Sequence, residues 1–325
     1  RLHVEFDLDL GESFYEDKME PILEEGTKKG VFVTGEEGAL IVQFAEETNM
    51  PPYLVKKRDG ATLYSTRDIA QMKYRIETYN PQAIFILTDI AQKLHFEQLE
   101  ATCRMLGWEL PAFENVLFGR MRFVDRAMST RKGNIVKLEH VLDEAVSRAR
   151  ESIRTHRESI EISDEDALAE MMGVGALVYG VLSQNRKQDL VFDWDKMLSF
   201  DGNSAPYLMY THARACSILR KSGVEIDSSL PITVDQPLTE RERAMVLELL
   251  RFPQALEDAR TTAMPHTLAN ALFALCQEFN QFYHSEAILK AEGSVRQLRL
   301  SITSLTASVL RTGASLLTLV LPDQM

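Results

Sequence analysis

The spacing of apolar residues changes near Leu138, and that change limits the architectures open to this chain. Before it, short apolar runs alternate with stretches of helical spacing. Ala83-Ile84-Phe85-Ile86-Leu87 is an unbroken apolar run of strand length. It lies between one helical stretch carrying Ile69, Met72 and Ile76 and another carrying Leu99, Cys103 and Leu106. A strand enclosed on both faces reads this way, and strand–helix alternation builds a parallel sheet. After Leu138 the apolar residues keep helical spacing, beginning with the stripe Val141, Leu142, Ala145, Val146 and Ala149. Further helices are expected from Ala167, Pro206, Glu240, Thr267 and Val295, packed as a bundle. Ser163 with Asp166, and Thr239 with Glu242, have capping-box spacing. The expected fold class is therefore α/β plus all-α.

The first 60 residues read as short strands and one helix. Val4, Phe6, Leu8 and Leu10 alternate with charged positions, as in a half-buried strand. Phe14 to Lys29 is expected to be helical and to stop at Gly30. Ala39–Val42 and Tyr53–Val55 are expected strands, and Arg58-Asp59-Gly60 is a hairpin turn signal. A helix entered at Leu63-Tyr64-Ser65 ends at Asn80-Pro81, and the next ends at Gly107. The softest linker is Ile226 to Pro237, rich in Ser, Pro and Asp.

At 325 residues the chain can hold two sizeable cores. A net charge of −12 argues against a surface that coats nucleic acid throughout, but leaves room for a local basic patch. The three cysteines, Cys103, Cys216 and Cys276, are far apart with no CxxC, so neither a disulfide framework nor a zinc site is indicated. A reducing cytoplasm is the expected location. The acidic start is unlike a signal peptide. The apolar segment from Ile302 to Leu321 contains Arg311 and hydroxyl residues, which favours a core helix over a membrane span. Asp7, Asp9 and Glu12 lack calcium-loop spacing. A first residue of Arg1 rather than Met suggests a piece of a longer protein.

Four constellations carry possible chemistry. Met128-Ser129-Thr130-Arg131-Lys132-Gly133 offers hydroxyls, cations and a free backbone, as a loop closing over a triphosphate requires; it could equally be a solvated turn. Tyr64 and Asp68 share one face at a helix start and could grip a cationic ligand, although Ser65 to Asp68 is also capping-box spacing. Gln92 and His95 follow the apolar strand, where ligands sit in open α/β sheets, or they form a polar loop with a histidine at the helix entry. Tyr207, Tyr210 and Arg214 lie on one helix face and could stack on bases and hold phosphate, or form a buried tyrosine seam.

In order and spacing, these residues resemble the arginyl-tRNA synthetases, a family of class I aminoacyl-tRNA synthetases. The likeness runs through YSTRDIA from Tyr64, QKLHFEQ from Gln92, Phe118-Gly119, MSTRKGN from Met128, the stretch from Phe192 to Lys221, FNQFYH from Phe279 and the terminal Leu-Pro-Asp-Gln-Met. The resemblance implies a partial Rossmann-like parallel sheet with an inserted module, then a helical anticodon-binding bundle. The implied boundaries are 1–60 for the inserted module, 61–137 for the second half of the catalytic domain and 138–325 for the bundle.

It further implies that Tyr64, Asp68 and Gln92 face the guanidinium of arginine. His95, Met128, Ser129 and Lys132 would meet ATP. Ser129, Thr130, Arg131 and Lys132 form the catalytic loop matching the Lys-Met-Ser-Lys-Ser motif. Tyr207, Tyr210, Arg214 and Met325 would meet tRNA. Two departures stand out. Ala127 and Thr130 occupy the motif's lysine positions, leaving Arg126, Arg131 and Lys132 as replacement cations. No His-Ile-Gly-His-like segment occurs in the sequence.

The expected function is ligation of arginine to its tRNA through arginyl-adenylate, with ATP as substrate, accompanying Mg2+ and no tightly bound metal. The expected partners are tRNA, through its anticodon loop and acceptor end, L-arginine and ATP. A monomer and no membrane association are expected, and the piece alone is expected to be inactive. A tRNA-binding module without catalysis, or a truncated synthetase paralogue, is the alternative.

Overall fold

The computed structural model describes residues 1–35, 38–123, 137–156, 164–224 and 234–325. The chain divides into two compact units, Val4–Gly119 and Arg1–His3 with Arg120–Met325.

In the first unit, α1 (Glu16–Lys28) stops where Gly30 takes a left-handed φ of 71°, as the sequence anticipates. The antiparallel sheet β1 (Phe32–Thr34), β2 (Leu40–Val42) and β3 (Tyr53–Lys56) follows. Phe32 pairs with Val42, and Val42 in turn with Tyr53. The turn at Arg58-Asp59-Gly60 forms, with the Lys57 N–H donating to Ala61 O and a bridge between Lys56 and Thr62. Next come α2 (Tyr64–Tyr79), β4 (Ala83–Asp89), α3 (Lys93–Met105) and β5 (Ala112–Phe118). β4 and β5 pair in parallel from Ala83↔Ala112 to Asp89↔Phe118. Asn80 and Gly107 take left-handed conformations at the two helix ends. One core unites the unit: Ile22, Phe32, Val42, Val55, Ile69, Met72, Leu99 and Cys103 pack together.

Two expectations fail here. Residues 4–10 form no strand, and Phe6 is 84% exposed. Alternation gives a strand only where a neighbour supplies backbone partners, and none pairs with this segment among the described residues. The apolar run of β4 is not enclosed on both faces. Ile84 is buried, whereas Phe85 and Leu87 are 59% and 68% exposed. A continuous apolar run reports a strand, but not how many layers cover it.

In the second unit, β6 (Met121–Phe123) pairs in parallel with β7 (Leu190–Phe192). β7 interrupts the region expected to be wholly helical; three residues are too few to show a period. The remainder is helical: α4 (Leu138–Thr155), α5 (Glu165–Leu182), α6 (Trp194–Met197), α7 (Ala205–Ser222), α8 (Glu240–Thr262), α9 (Pro265–Ser285) and α10 (Gly293–Leu316). The stripe on α4 is buried at Leu142, Ala145, Val146 and Ala149. α5 approaches it so closely that a Cβ on Gly173 would lie 2.7 Å from Val146 Cα. α10 is a core helix, burying Leu298, Ile302, Ala307, Leu310 and Ala314. No helix among the described residues is long and apolar enough to cross a membrane.

The caps follow their chemistry. The Thr239 hydroxyl accepts the Glu242 N–H at 3.1 Å, and Glu242 Oε2 accepts the Thr239 N–H at 2.9 Å. Glu242 is 3% exposed and its other oxygen accepts from Arg299 Nε at 2.7 Å, while Arg299 Nη2 reaches Glu286 at 2.6 Å. α5 is capped by Asp164, which accepts from the Asp166 and Ala167 N–H groups. Ser163, the expected cap, lies outside the described residues, as does most of the Ile226–Pro237 linker.

Candidate functional sites

The first unit carries an acidic pocket of about 480 Å³ lined by Glu12, Tyr64, Arg67, Asp68, Gln92 and His95, among others. Its floor follows from the way α2 docks on β3. The Ser65 hydroxyl donates to Leu54 O at 2.5 Å, and the Thr66 hydroxyl donates to Val55 O. The Thr66 hydroxyl also accepts the Leu63 N–H at 3.4 Å, so the cap lies at Leu63, and Ser65, within the first turn of the helix, bonds the neighbouring strand instead. Asp68, freed from the expected cap partnership with Ser65, turns into the pocket. There its Oδ2 meets His95 Nε2 at 2.7 Å. His95 Nδ1 meets the Tyr53 hydroxyl at 3.0 Å. Burial, with the Asp68 charge adding to it, pushes the Tyr53 phenol well above its usual range, so it stays a neutral O–H.

Tyr64 and Gln92 rim the same pocket. Tyr64 is 62% exposed, its ring 4.9 Å from that of His95. Gln92 is exposed in the turn Ile90–Gln92 after β4, beyond the carboxyl end of the parallel strand. Arg67 Nη1 and Glu12 Oε2 pair across the opening at 2.6 Å. The structure thus gathers Tyr64, Asp68, Gln92 and His95 around one cavity.

The second unit carries a groove of about 870 Å³ lined by Tyr210, Arg214, Arg220, Lys221, Tyr283 and Met325, among others. Tyr210 and Arg214 lie one turn apart on α7. The Arg214 guanidinium sits 4.6 Å from the Tyr210 ring centroid and 4.8 Å from that of Tyr283 on α9. Its Nη1 donates to Asn280 Oδ1. The Asn280 amide N–H donates to the Tyr207 hydroxyl at 3.0 Å. Tyr207 therefore reaches the groove residues through Asn280, and its ring lies 5.4 Å from Phe273. The groove offers aromatic side chains and cations, which suit stacked bases and phosphate.

Behind this groove the C-terminal tail is tied to α7. His212, fully buried, bonds through Nδ1 to Pro322 O at 2.9 Å, and Arg220 Nη1 donates to Asp323 O at 2.7 Å. His212, Cys216 and Asp323 lie close enough together to suggest a metal site. The Cys216 sulfur, however, is 3.8 and 3.7 Å from the two imidazole nitrogens, so it lies across the ring rather than along one lone pair. Burial pushes its thiol up to about 11, with the Asp323 charge adding, and Arg311 Nη2 occupies Asp323 Oδ1. The trio reads as packing of the tail.

Residues 1–194 match the family described as tRNA synthetases class I (R), catalytic domain. Residues 208–325 match the DALR anticodon binding domain. The chain belongs to the arginyl-tRNA synthetase family. It is 40% identical over 320 residues to the arginine–tRNA ligase of Fusobacterium nucleatum, covering 98% of this chain and 55% of that relative. It is 38% identical over 326 residues to that of Alkaliphilus metalliredigens, covering 100% and 56%. The chain therefore spans little more than half the length of these curated relatives. Among solved structures, arginyl-tRNA synthetase from Plasmodium falciparum superposes with a TM-score of 0.82 at 26% identity, covering 100% of this chain and 55% of that one. The Thermus thermophilus enzyme shares the fold, with a TM-score of 0.83 at 24% identity over 96% and 58%. The architecture is accordingly a Rossmann-like class I catalytic domain followed by a helical anticodon-binding-type domain.

For a synthetase-family chain, the basic loop is the expected site that the structure leaves aside. Met128, Ser129, Thr130, Arg131 and Lys132 lie outside the described residues. Arg67 in the pocket, Tyr53 behind His95 and Tyr283 in the groove were not singled out from sequence, which offers Glu12 only within an acidic group lacking calcium-loop spacing. Their contacts span 42, 55 and, for Arg214 to Tyr283, 69 positions, and no local pattern signals such pairings. Asn280 and Tyr283 do fall within FNQFYH, one of the stretches that carries the family likeness.

Proposed function

We propose that the protein bearing this chain ligates arginine to its tRNA in two steps. The arginine carboxylate attacks the α-phosphate of ATP, giving arginyl-adenylate and pyrophosphate. A terminal ribose hydroxyl of the tRNA then takes the arginyl group. The observation that carries the reading is the acidic pocket, in a chain of this family. A guanidinium is a planar fork of donors, and Asp68 offers it a charged acceptor with the neutral Tyr64 hydroxyl and Gln92 amide oxygen beside it. An uncharged amino acid would give the cavity-facing side of that carboxylate no cationic partner, which sets specificity.

In this reading residues 1–60 form the inserted module, 61–137 the second half of the catalytic domain and 138–325 the tRNA-binding bundle. In the loop from Met128, Arg131 and Lys132 neutralise the phosphates as the transition state forms, and Ser129 and Thr130 offer hydroxyls to them. Magnesium arrives with ATP as part of the substrate, and its ligands are phosphate oxygens and water. Tyr210, Arg214 and Met325 line the groove that receives the anticodon loop, with Tyr207 steadying it through Asn280. The enzyme acts in the cytoplasm as a monomer. The chain taken alone, without a His-Ile-Gly-His-like segment, binds without catalysing.

Arginine-dependent pyrophosphate exchange by the whole protein, with tRNA present, tests the proposal. Asp68→Asn should lower kcat/KM for arginine by at least about a hundredfold, since breaking a buried charge pair costs about 3–5 kcal/mol. Unchanged arginine use by that variant would remove the pocket assignment. tRNA binding with no exchange by the unaltered protein would favour a binding module.

A further inference from the structure

The geometry points to His95 as a positioning residue for the Asp68 carboxylate, oriented in turn by Tyr53, rather than as a ligand of the nucleotide. This deepens the arginine-pocket reading and rests on it. Asp68 and His95 belong to α2 and α3, and Tyr53 to β3, so three separate elements converge on one imidazole.

Both ring nitrogens are committed. A carboxylate can only accept, so the 2.7 Å contact at Asp68 Oδ2 requires the proton on Nε2. Nδ1 is matched by the Tyr53 hydroxyl 3.0 Å away, a phenol kept un-ionised by burial and so able to donate its O–H there. A neutral, buried phenol is a donor that does not titrate in the physiological range. The chain of bonds therefore runs in one direction, from Tyr53 through His95 to Asp68. No ring N–H remains for a phosphate or ribose.

Position makes the arrangement useful. Asp68 retains 27% side-chain exposure and His95 only 11%, so the carboxylate faces the cavity while the imidazole backs it. With Oδ2 held by His95, Oδ1 is the oxygen presented to a ligand. A single oxygen held in place discriminates between a planar guanidinium and a compact ammonium better than a carboxylate free to rotate. Tyr53, 4% exposed on the antiparallel sheet, ties that sheet to pocket geometry. The residues 1–60 portion thereby contributes to amino-acid selection without touching the ligand.

The test uses pyrophosphate exchange by the whole protein with tRNA present, titrating arginine and ATP separately, with a thermal melt of each variant as a folding control. His95→Ala should raise KM for arginine about ten- to a hundredfold, the worth of one charge-assisted hydrogen bond, and leave KM for ATP within about twofold. His95→Gln, whose amide N–H can stand near Nε2, should recover most of the arginine KM. Tyr53→Phe removes one hydroxyl without changing shape and should raise the arginine KM about three- to tenfold. It should also narrow the preference for arginine over lysine.

A rise in KM for ATP in place of that for arginine would assign His95 to the nucleotide and overturn the inference. So would wild-type arginine KM in Tyr53→Phe together with no difference between the Ala and Gln variants. Asp68→Asn separates the two levels. If it impairs arginine use while the His95 and Tyr53 variants do not, only the positioning role fails; if it has no effect, the pocket reading itself fails.

Discussion

Glu25 joins three elements of the first unit, and its removal should be felt as a pH-dependent loss of stability. Its carboxylate on α1 receives Lys29 one turn away at 2.6 Å, Lys73 from α2, and the Trp108 indole N–H at 2.9 Å. Lys29 also donates to Leu106 O at 2.6 Å, so the same cluster closes the end of α3. Burial alone would raise the Glu25 pKa, but the three donors outweigh it and bring the group from 4.5 down to about 2. A carboxylate depressed in the folded state stabilises it above the unfolded pKa. That contribution is complete above about pH 4.5 and fades as pH falls toward 2. The shift is worth at most about 3.5 kcal/mol at ~1.4 kcal/mol per pH unit. Because the side chain retains 19% exposure, screening by solvent reduces this to about 2 kcal/mol.

Glu25→Gln keeps the shape and removes the charge. Urea titrations of this chain can be followed by Trp108 fluorescence in a Trp194→Phe background, which leaves one tryptophan within these 325 residues. The stability gap between the parent protein and its Glu25→Gln variant should be about 2 kcal/mol at pH 6 and should close on acidification, since a protonated Glu resembles Gln. A gap that stayed constant from pH 6 to pH 2.5, or that never exceeded a few tenths of a kcal/mol, would refute the reasoning.

Two further outcomes follow from other buried or clamped charges. Arg299→Met should destabilise the helical unit by about 3 kcal/mol, at the low end for a broken buried pair because Glu242 keeps its bond from the Thr239 N–H; a urea midpoint shifted by less than the equivalent of about 1 kcal/mol would count against it. Arg214→Ala should weaken tRNA binding by the whole protein and reduce the slope of log affinity against log salt by about one unit. An unchanged slope across the titration would leave Arg214 a structural role only.

Much of the architecture is legible in the sequence because it rests on local rules. The stops at Gly30, Asn80 and Gly107 are backbone requirements of single residues. The Thr239–Glu242 cap and the α4 stripe need only neighbours three or four positions away. What the sequence hides depends on who the neighbour is. Asp68 has the spacing of a cap partner for Ser65, yet Ser65 bonds to Leu54 O, and only the docking of α2 on β3 decides between those uses. Phe85 and Leu87 look like core residues by composition, and their exposure depends on how many layers flank β4. Tyr53 carries no motif at all, because its importance arises from a helix that begins forty positions later.

The clamp on Arg214 has a kinetic meaning. Freezing a long, flexible guanidinium side chain costs about 2 kcal/mol in lost rotamer freedom. Two aromatic rings and the Asn280 amide impose that order when α7 and α9 pack, before any anion arrives. If the groove receives a polyanion as proposed, it meets a cation already aimed, and the entropic cost of capture falls on folding rather than on the encounter.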